Sequence, residues 1–198
     1  MFYGDGSASG SKSRAAWNKP VGVSHVYMML IGAGGNGNGT SGGGSGAVTV
    51  WYGAAQHIPN SLFIWVGAAQ GTTYVTVNAA GTLSYLSASG AFEATAGAAV
   101  AAPAIAASGF YKSTAGQAGS TGNITASTTT FLSGGADAAS ETVTANYGYF
   151  VPGNASGFFQ TQPIIVGAGG SAAGRGGIGC GGGGDSTGGP GMVLIASW

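Results

Sequence analysis

The stretch His25-Val-Tyr-Met-Met-Leu-Ile-Gly-Ala-Gly-Gly-Asn-Gly37 decides how this chain folds. It opens as an unbroken apolar run, His25 to Ile31, and then changes character at Gly32. The run is too short for a core helix and is closed by glycines, so it predicts a buried strand. Residues 32–46 are built almost wholly of glycine, serine and asparagine. The same scheme returns at Trp65-Val66-Gly-Ala-Ala-Gln70 and at Ile165-Val166-Gly-Ala-Gly-Gly170. Two of the three copies continue into long glycine tracts, residues 32–46 and 167–191. A scheme repeated in this way marks one architectural device used several times.

Glycine loses more conformational freedom on ordering than any other residue, so an isolated tract stays flexible. Tracts can order by packing side by side as polyproline-II-like helices. That conformation has three residues per turn and no internal hydrogen bonds, so its amides and carbonyls point outward to neighbours. The tracts lack a strict Gly-X-Y period, which excludes collagen. The expectation is a β-sandwich capped by a small packet of glycine helices.

Other strand candidates lie outward from this stretch. Ala47–Tyr52 alternates, with Val48, Val50 and Tyr52 on one face and Thr49 and Trp51 on the other. Leu62–Val66, Thr73–Val77, Thr82–Leu86, Thr128–Leu132, Glu141–Ala145, Pro163–Val166 and Met192–Ser197 are β-branched, aromatic or apolar. Many short strands with glycine-rich turns predict an all-β, jelly-roll-like sandwich with polyglycine-II-like tracts. Ala94–Ala107 is the one helix candidate, and Gly97 and Pro103 weaken it. Residues 1–16 are polar and rich in glycine and serine, and read as an extended N-terminal arm. The sandwich domain then covers 17–198, with a long alanine-, serine- and threonine-rich insert at about 68–162.

Composition narrows the function classes. Glycine fills 42 of 198 positions, about three times its usual share. Five Lys or Arg balance five Asp or Glu, for a net charge of zero. Positive mean hydropathy without net charge argues for a folded chain over a disordered one. So neutral a surface suits a protein packed against copies or partners. Nucleic-acid binding needs clustered cations, and the densest group is only Lys12, Arg14 and Lys19. No apolar run of about 18 residues occurs, so no spanning helix and no membrane insertion are expected. Cys180 is the sole cysteine, which excludes an internal disulfide and predicts a small buried thiol.

Chemical motifs mostly fall away. Gly32-Ala-Gly-Gly-Asn-Gly37 has dinucleotide-binding spacing, but Asn38-Gly-Thr-Ser-Gly-Gly-Gly cannot open the helix that fingerprint requires. No acid stands between Asp5 and Glu93 to hold a ribose. His25 and His57 have no cysteine or carboxylate near them in sequence, so no metal site is expected. The scattered acids give no paired carboxylates, and no Gly-x-Ser-x-Gly elbow lies between a strand and a helix. The reading is a protein that is not an enzyme and carries no cofactor. Aromatic residues on loops make contact surfaces. The candidates for receptor or subunit contact are Phe110, Tyr111, Tyr147, Tyr149, Phe150, Phe158 and Phe159.

Three segments resemble the glycine-rich domain of bacteriophage tail fibres and other virion proteins. Trp17-Asn-Lys-Pro-Val-Gly-Val-Ser-His-Val-Tyr-Met-Met-Leu-Ile-Gly-Ala-Gly-Gly35 resembles its opening. Ile58-Pro-Asn-Ser-Leu-Phe-Ile-Trp-Val-Gly67 resembles its middle strand, and Gly188-Gly-Pro-Gly-Met-Val-Leu-Ile-Ala-Ser-Trp198 its closing strand. Tyr3-Gly-Asp-Gly6 also fits such fibre proteins. The resemblance implies a structural protein on the surface of a virus particle, of fibre or spike type, in contact with other virion proteins. It further implies a homo-oligomer, a trimer by preference, that meets a host-surface receptor. The alternative is a minor capsid or cement protein of the capsid lattice.

Overall fold

The computed structural model describes residues 1–4, 12–82, 84–125, 132, 134–136, 143–144, 149–150, 164–165, 169–170 and 174–198. Its architecture is all-β, two antiparallel sheets face to face. In chain order the strands are β1 (Phe2–Tyr3), β2 (Lys12–Asn18), β3 (His25–Ile31), β4 (Val48–Ala54), β5 (Ser61–Gly67), β6 (Thr73–Thr76), β7 (Ser84–Ala88) and β8 (Gly109–Thr114). Next come the short strands β9 (Ile124–Thr125), β10 (Val143–Thr144), β11 (Tyr149–Phe150) and β12 (Ile164–Ile165), and β13 (Met192–Ser197) closes the chain. One sheet has the order β1-β13-β3-β4-β8 and the other β2-β5-β6-β7. The pairs β9–β10, parallel, and β11–β12, antiparallel, stand apart.

The sheets close on a shared core. β3 sends Val26, Met28 and Leu30 inward, β5 sends Leu62, Ile64 and Val66, and Trp51, Val75, Leu86 and Val193 fill the space between. The indole of Trp51 donates to the Ile105 carbonyl at 3.0 Å, which satisfies its polar end inside the core. On its other face β3 places Tyr27, Met29 and Ile31 in a second cluster with Val48, Met192, Leu194, Leu132 and Cys180. β3 is therefore covered on both sides. This is why His25–Ile31 reads as a continuous apolar run with no alternation.

The cross-strand register sets where the glycine tracts begin. Met192 faces Ile31, Ile31 faces Val48, and Val48 faces Thr114, so β13, β3, β4 and β8 all end at one row. Beyond that row the connections bond to one another. Gly42 donates to Ser120 and Ser45 to Gln117; Gly43 donates to Gly182 and Gly46 to Gly179. Each of these two partners recurs every third residue. Gly44 and Ala47 donate to Glu93 and Ser89, while Gly35 and Gly32 return bonds to Gly44 and Ala47. Segment 42–47 is thus tied to four different neighbours by bonds of 2.6–2.9 Å. Contact is backbone on backbone: a Cβ built on Gly43 would overlap the Gly35 carbonyl, and one on Gly181 the Gly43 carbonyl. Ser45, fully buried, accepts from the Gln117 amide at 2.7 Å and donates to the Leu132 carbonyl at 3.1 Å.

Several sequence expectations change here. The expected arm contains β1, paired with β13, and β2, paired with β5 from Lys12↔Gly67 to Asn18↔Ser61. Paired sandwich structure therefore begins well before Trp17. The first part of the expected insert is equally integral, because β6 and β7 complete one sheet and β8 the edge of the other. Of the helix candidate 94–107, only a short 3₁₀ turn at Ala104–Ser108 forms, just after Pro103. The expected strand Thr128–Leu132 lies outside the described residues except for Leu132, and Glu141–Ala145 and Pro163–Val166 are described only at β10 and β12. Among the described residues no helix is long and apolar enough to cross a membrane, which leaves β-barrels unaddressed.

Candidate contact surface

β8 carries the first two candidate contact residues, and it separates them. Phe110 pairs with Tyr52 and points to the outer face, where it is 57% exposed. Tyr111 pairs with Trp51 and points inward, packing against the core. Its hydroxyl donates to the Val100 carbonyl at 2.9 Å, and burial raises its pKa against the lowering effect of Ser113 and Thr49. Tyr111 is thus a strut between β8 and the segment before it, and Phe110 alone of the pair faces solvent. Tyr149 and Phe150 lie on β11, opposite Ile165 and Ile164. Tyr147, Phe158 and Phe159 lie outside the described residues.

Sequence reasoning passed over the residues that surround Phe110. Trp198, just past β13, returns to the start of β3. Its carbonyl accepts from the Ser24 and His25 amides at 2.6 and 3.0 Å and from the Ser24 hydroxyl at 3.1 Å. The rings of His25, Tyr52 and Trp198 then lie 5.7–5.8 Å apart, with interplanar angles of 6–18°. Ser24 Oγ sits 3.0 Å from His25 Nδ1. The three rings stack on one another as a cluster at the end of the five-stranded sheet away from the glycine tracts. No sequence window joins positions 25, 52, 110 and 198. The available signal was strand register, in which the first residue of β3 meets the residue after β13.

The opposite sheet has a different outer face. Arg14 lies over Trp65, 4.1 Å from the ring centroid, and Tyr74 stacks on the other side at 5.6 Å. Trp65 is almost fully buried there, against Gly81 of the β6–β7 turn. This row packs the sheet's own surface and offers no open ring face.

The glycine tract with dinucleotide spacing has its amides engaged. Gly34 donates to Gly189, Gly35 to Gly44 and Gly37 to Ser186, so these donors are turned to protein carbonyls instead of a phosphate. Among the described residues no group of three or more His, Cys, Asp or Glu converges as a metal site. Cys180 is fully buried beneath the outer face of the five-stranded sheet, with no second cysteine to pair with. Neither a protein-family model, nor a curated protein, nor a solved structure matches the chain.

Proposed function

We propose that this chain is a non-enzymatic structural protein on the surface of a virus particle, a bacteriophage fibre or spike subunit that meets the host. The observation that carries the reading is the bonding of segment 42–47 to neighbours 117–120 and 179–182 at three-residue intervals. A strand repeats every two residues and an α-helix bonds within itself, so bonding of this kind fits helices of three residues per turn. The tracts are accordingly a polyglycine-II-like packet that stiffens one end of the sandwich. Pairing of the first strand with the last fits a jelly-roll-like description, whereas the adjacency of β3 and β4 departs from it. So much backbone turned to architecture, with zero net charge, suits a subunit held among copies and other virion proteins. A homotrimer is the assembly favoured by the likeness to fibre domains. The end away from the packet presents Phe110 and is the natural host-facing end.

Gold-labelled antibody against the chain, applied to purified particles, tests this directly. Label on projecting fibres or spikes is the expected result. Label tiling the shell would transfer the protein to the capsid-lattice alternative, and unlabelled particles would end the virion reading.

A further inference from the structure

The two sheets of the sandwich have β1 and β8 at the edges of one and β2 and β7 at the edges of the other. An exposed edge offers unpaired amides and carbonyls to a further strand, and native proteins blunt it by shortness, charge or a bulge. Three of these edges are blunted in that way. β1 is two residues long, β2 carries Lys12 and Arg14, and β7 joins its sheet through a register shift at Val75/Thr76. β8 is six residues long, stays in regular register with β4 from Gly109 to Thr114, and has a single charge, Lys112. Its Phe110 is 57% exposed, the most exposed large apolar side chain on any described strand.

The register identifies the backbone groups that β8 leaves over. The Ala55 amide donates to the Ser24 carbonyl and the Gly32 amide to the Ala47 carbonyl, both in register with the β3–β4 pair. Along an antiparallel strand each residue turns its amide and carbonyl to one side, and successive residues alternate sides. The odd-numbered residues of β4 therefore bond β3, while Val48, Val50 and Tyr52 bond Thr114, Lys112 and Phe110 of β8. Gly109, Tyr111 and Ser113 are left with their main chain turned away from the sheet. Among the described residues none bonds Tyr111 or Ser113 from that side.

We infer that β8 pairs antiparallel with β8 of a second copy, about a two-fold axis at Tyr111, so that one sheet runs through both subunits. The strand is complementary to itself in this register. Tyr111 meets Tyr111 of the second copy and Gly109 meets Ser113, so the residues whose main chain turns outward face each other and exchange bonds. On the outer face Phe110 meets Lys112 of the second copy, whose aliphatic stem covers the exposed ring and whose charge meets an aromatic face. Other registers are worse. An axis at Lys112 would set that cation against itself, and an axis at Phe110 would run the pairing into the 3₁₀ turn at Ala104–Ser108. The contact is two-fold and separate from any three-fold fibre axis. It makes Phe110 a subunit contact.

The test is sedimentation equilibrium of the full chain from about 1 to 300 μM, a span that suits a contact smaller than a standard interface. A reversible monomer–dimer equilibrium is expected. Phe110→Lys sets a cation opposite Lys112 on both sides of the axis and should weaken dimerisation about tenfold. Adding Lys112→Glu to Phe110→Lys should bring it back to within about threefold of wild type, because opposite charges then face each other. Phe110 is mostly exposed, so these variants should melt with the wild type. Amide exchange on the wild-type chain reads the same contact without a substitution. The Tyr111 and Ser113 amides should slow as concentration rises, and the amides of β2 should not. A chain monomeric throughout, an assembly indifferent to Phe110→Lys, no rescue by Lys112→Glu, or Tyr111 and Ser113 amides indifferent to concentration would overturn the inference. Gold labelling of the particle is independent of these outcomes, so the strand pairing and the virion location can fail separately.

Discussion

Tyr27 sits on the outward face of β3 among Met29, Ile31 and Leu194, and burial raises its pKa above that of a free tyrosine. The unfolded chain therefore ionises this phenol first. Stability from this group is fully present below pH 10 and declines as pH climbs from there toward the folded value. The slope is roughly 1.4 kcal/mol per pH unit. Urea unfolding at pH 9 and pH 11 should show a steeper loss for wild type than for Tyr27→Phe, and equal losses would refute the assignment. A second residue-scale case is backbone strain. Glu93 adopts φ 47° in the turn where Phe92 and Thr95 bond each other, and its carbonyl still accepts from Gly44. Left-handed geometry costs an L-residue about 1 kcal/mol, of which glycine's added unfolded-state entropy reclaims roughly half. Glu93→Gly should thus stabilise the fold by about 0.5 kcal/mol in denaturant titration, and a destabilised variant would contradict the strain argument.

Central strands were legible in the sequence because they are buried and apolar. β3 and β13 match the expected His25–Ile31 and Met192–Ser197, and β4, β5 and β6 deviate from expectation by a residue or two at their ends. Of the edge strands, β7 was foreshadowed at Thr82–Leu86, two residues early, while β1, β2 and β8 were hidden. β2 reads Lys-Ser-Arg-Ala-Ala-Trp-Asn, and its pattern makes sense only once Arg14 is seen lying over Trp65 while Ala15 and Trp17 turn to the core. An edge strand has a single neighbour and needs less apolar surface, so small and charged residues suffice. β8 was masked for the same reason, with Phe110 out, Tyr111 in and Lys112 out. The stacked cluster of His25, Tyr52 and Trp198 was still less legible, since it exists only in the register between strands far apart in sequence. If β2 is structural, cutting the chain before Trp17 should abolish cooperative thermal unfolding, because β5 loses its β2 partner along Phe63–Gly67. A truncated chain that melts at the wild-type midpoint would restore residues 1–16 to the status of an arm.

At the scale of the molecule, the strands and the tracts depend on each other. The row Met192–Ile31–Val48–Thr114 fixes where four connections leave the sheet, and segment 42–47 lies among four neighbours because those exits are adjacent. Glycine's entropy cost is offset when each residue gains a backbone bond to a neighbouring tract, in place of the bond a helix would have made internally. Such a packet has no apolar core of its own and relies on the absence of side chains, so one methyl in the wrong place acts on several tracts together. Gly43→Ala would drive a Cβ into the Gly35 carbonyl, and the neighbouring segment has no side chain to rotate away. Gly122, with nothing within 4 Å of a built Cβ, is the matched control. Gly43→Ala should destabilise by about 3 kcal/mol or more, as overpacking does at its upper end, while Gly122→Ala should stay within about 1 kcal/mol of wild type. Amide exchange gives the same argument without a substitution. The amides of residues 42–47 should exchange as slowly as those of β3, because opening any of them requires separating tracts that close the sandwich end. Fast exchange at 42–47 beside a protected β3 would mean that the tracts are ordinary surface loops, and the rigid cap on which the fibre reading rests would be lost.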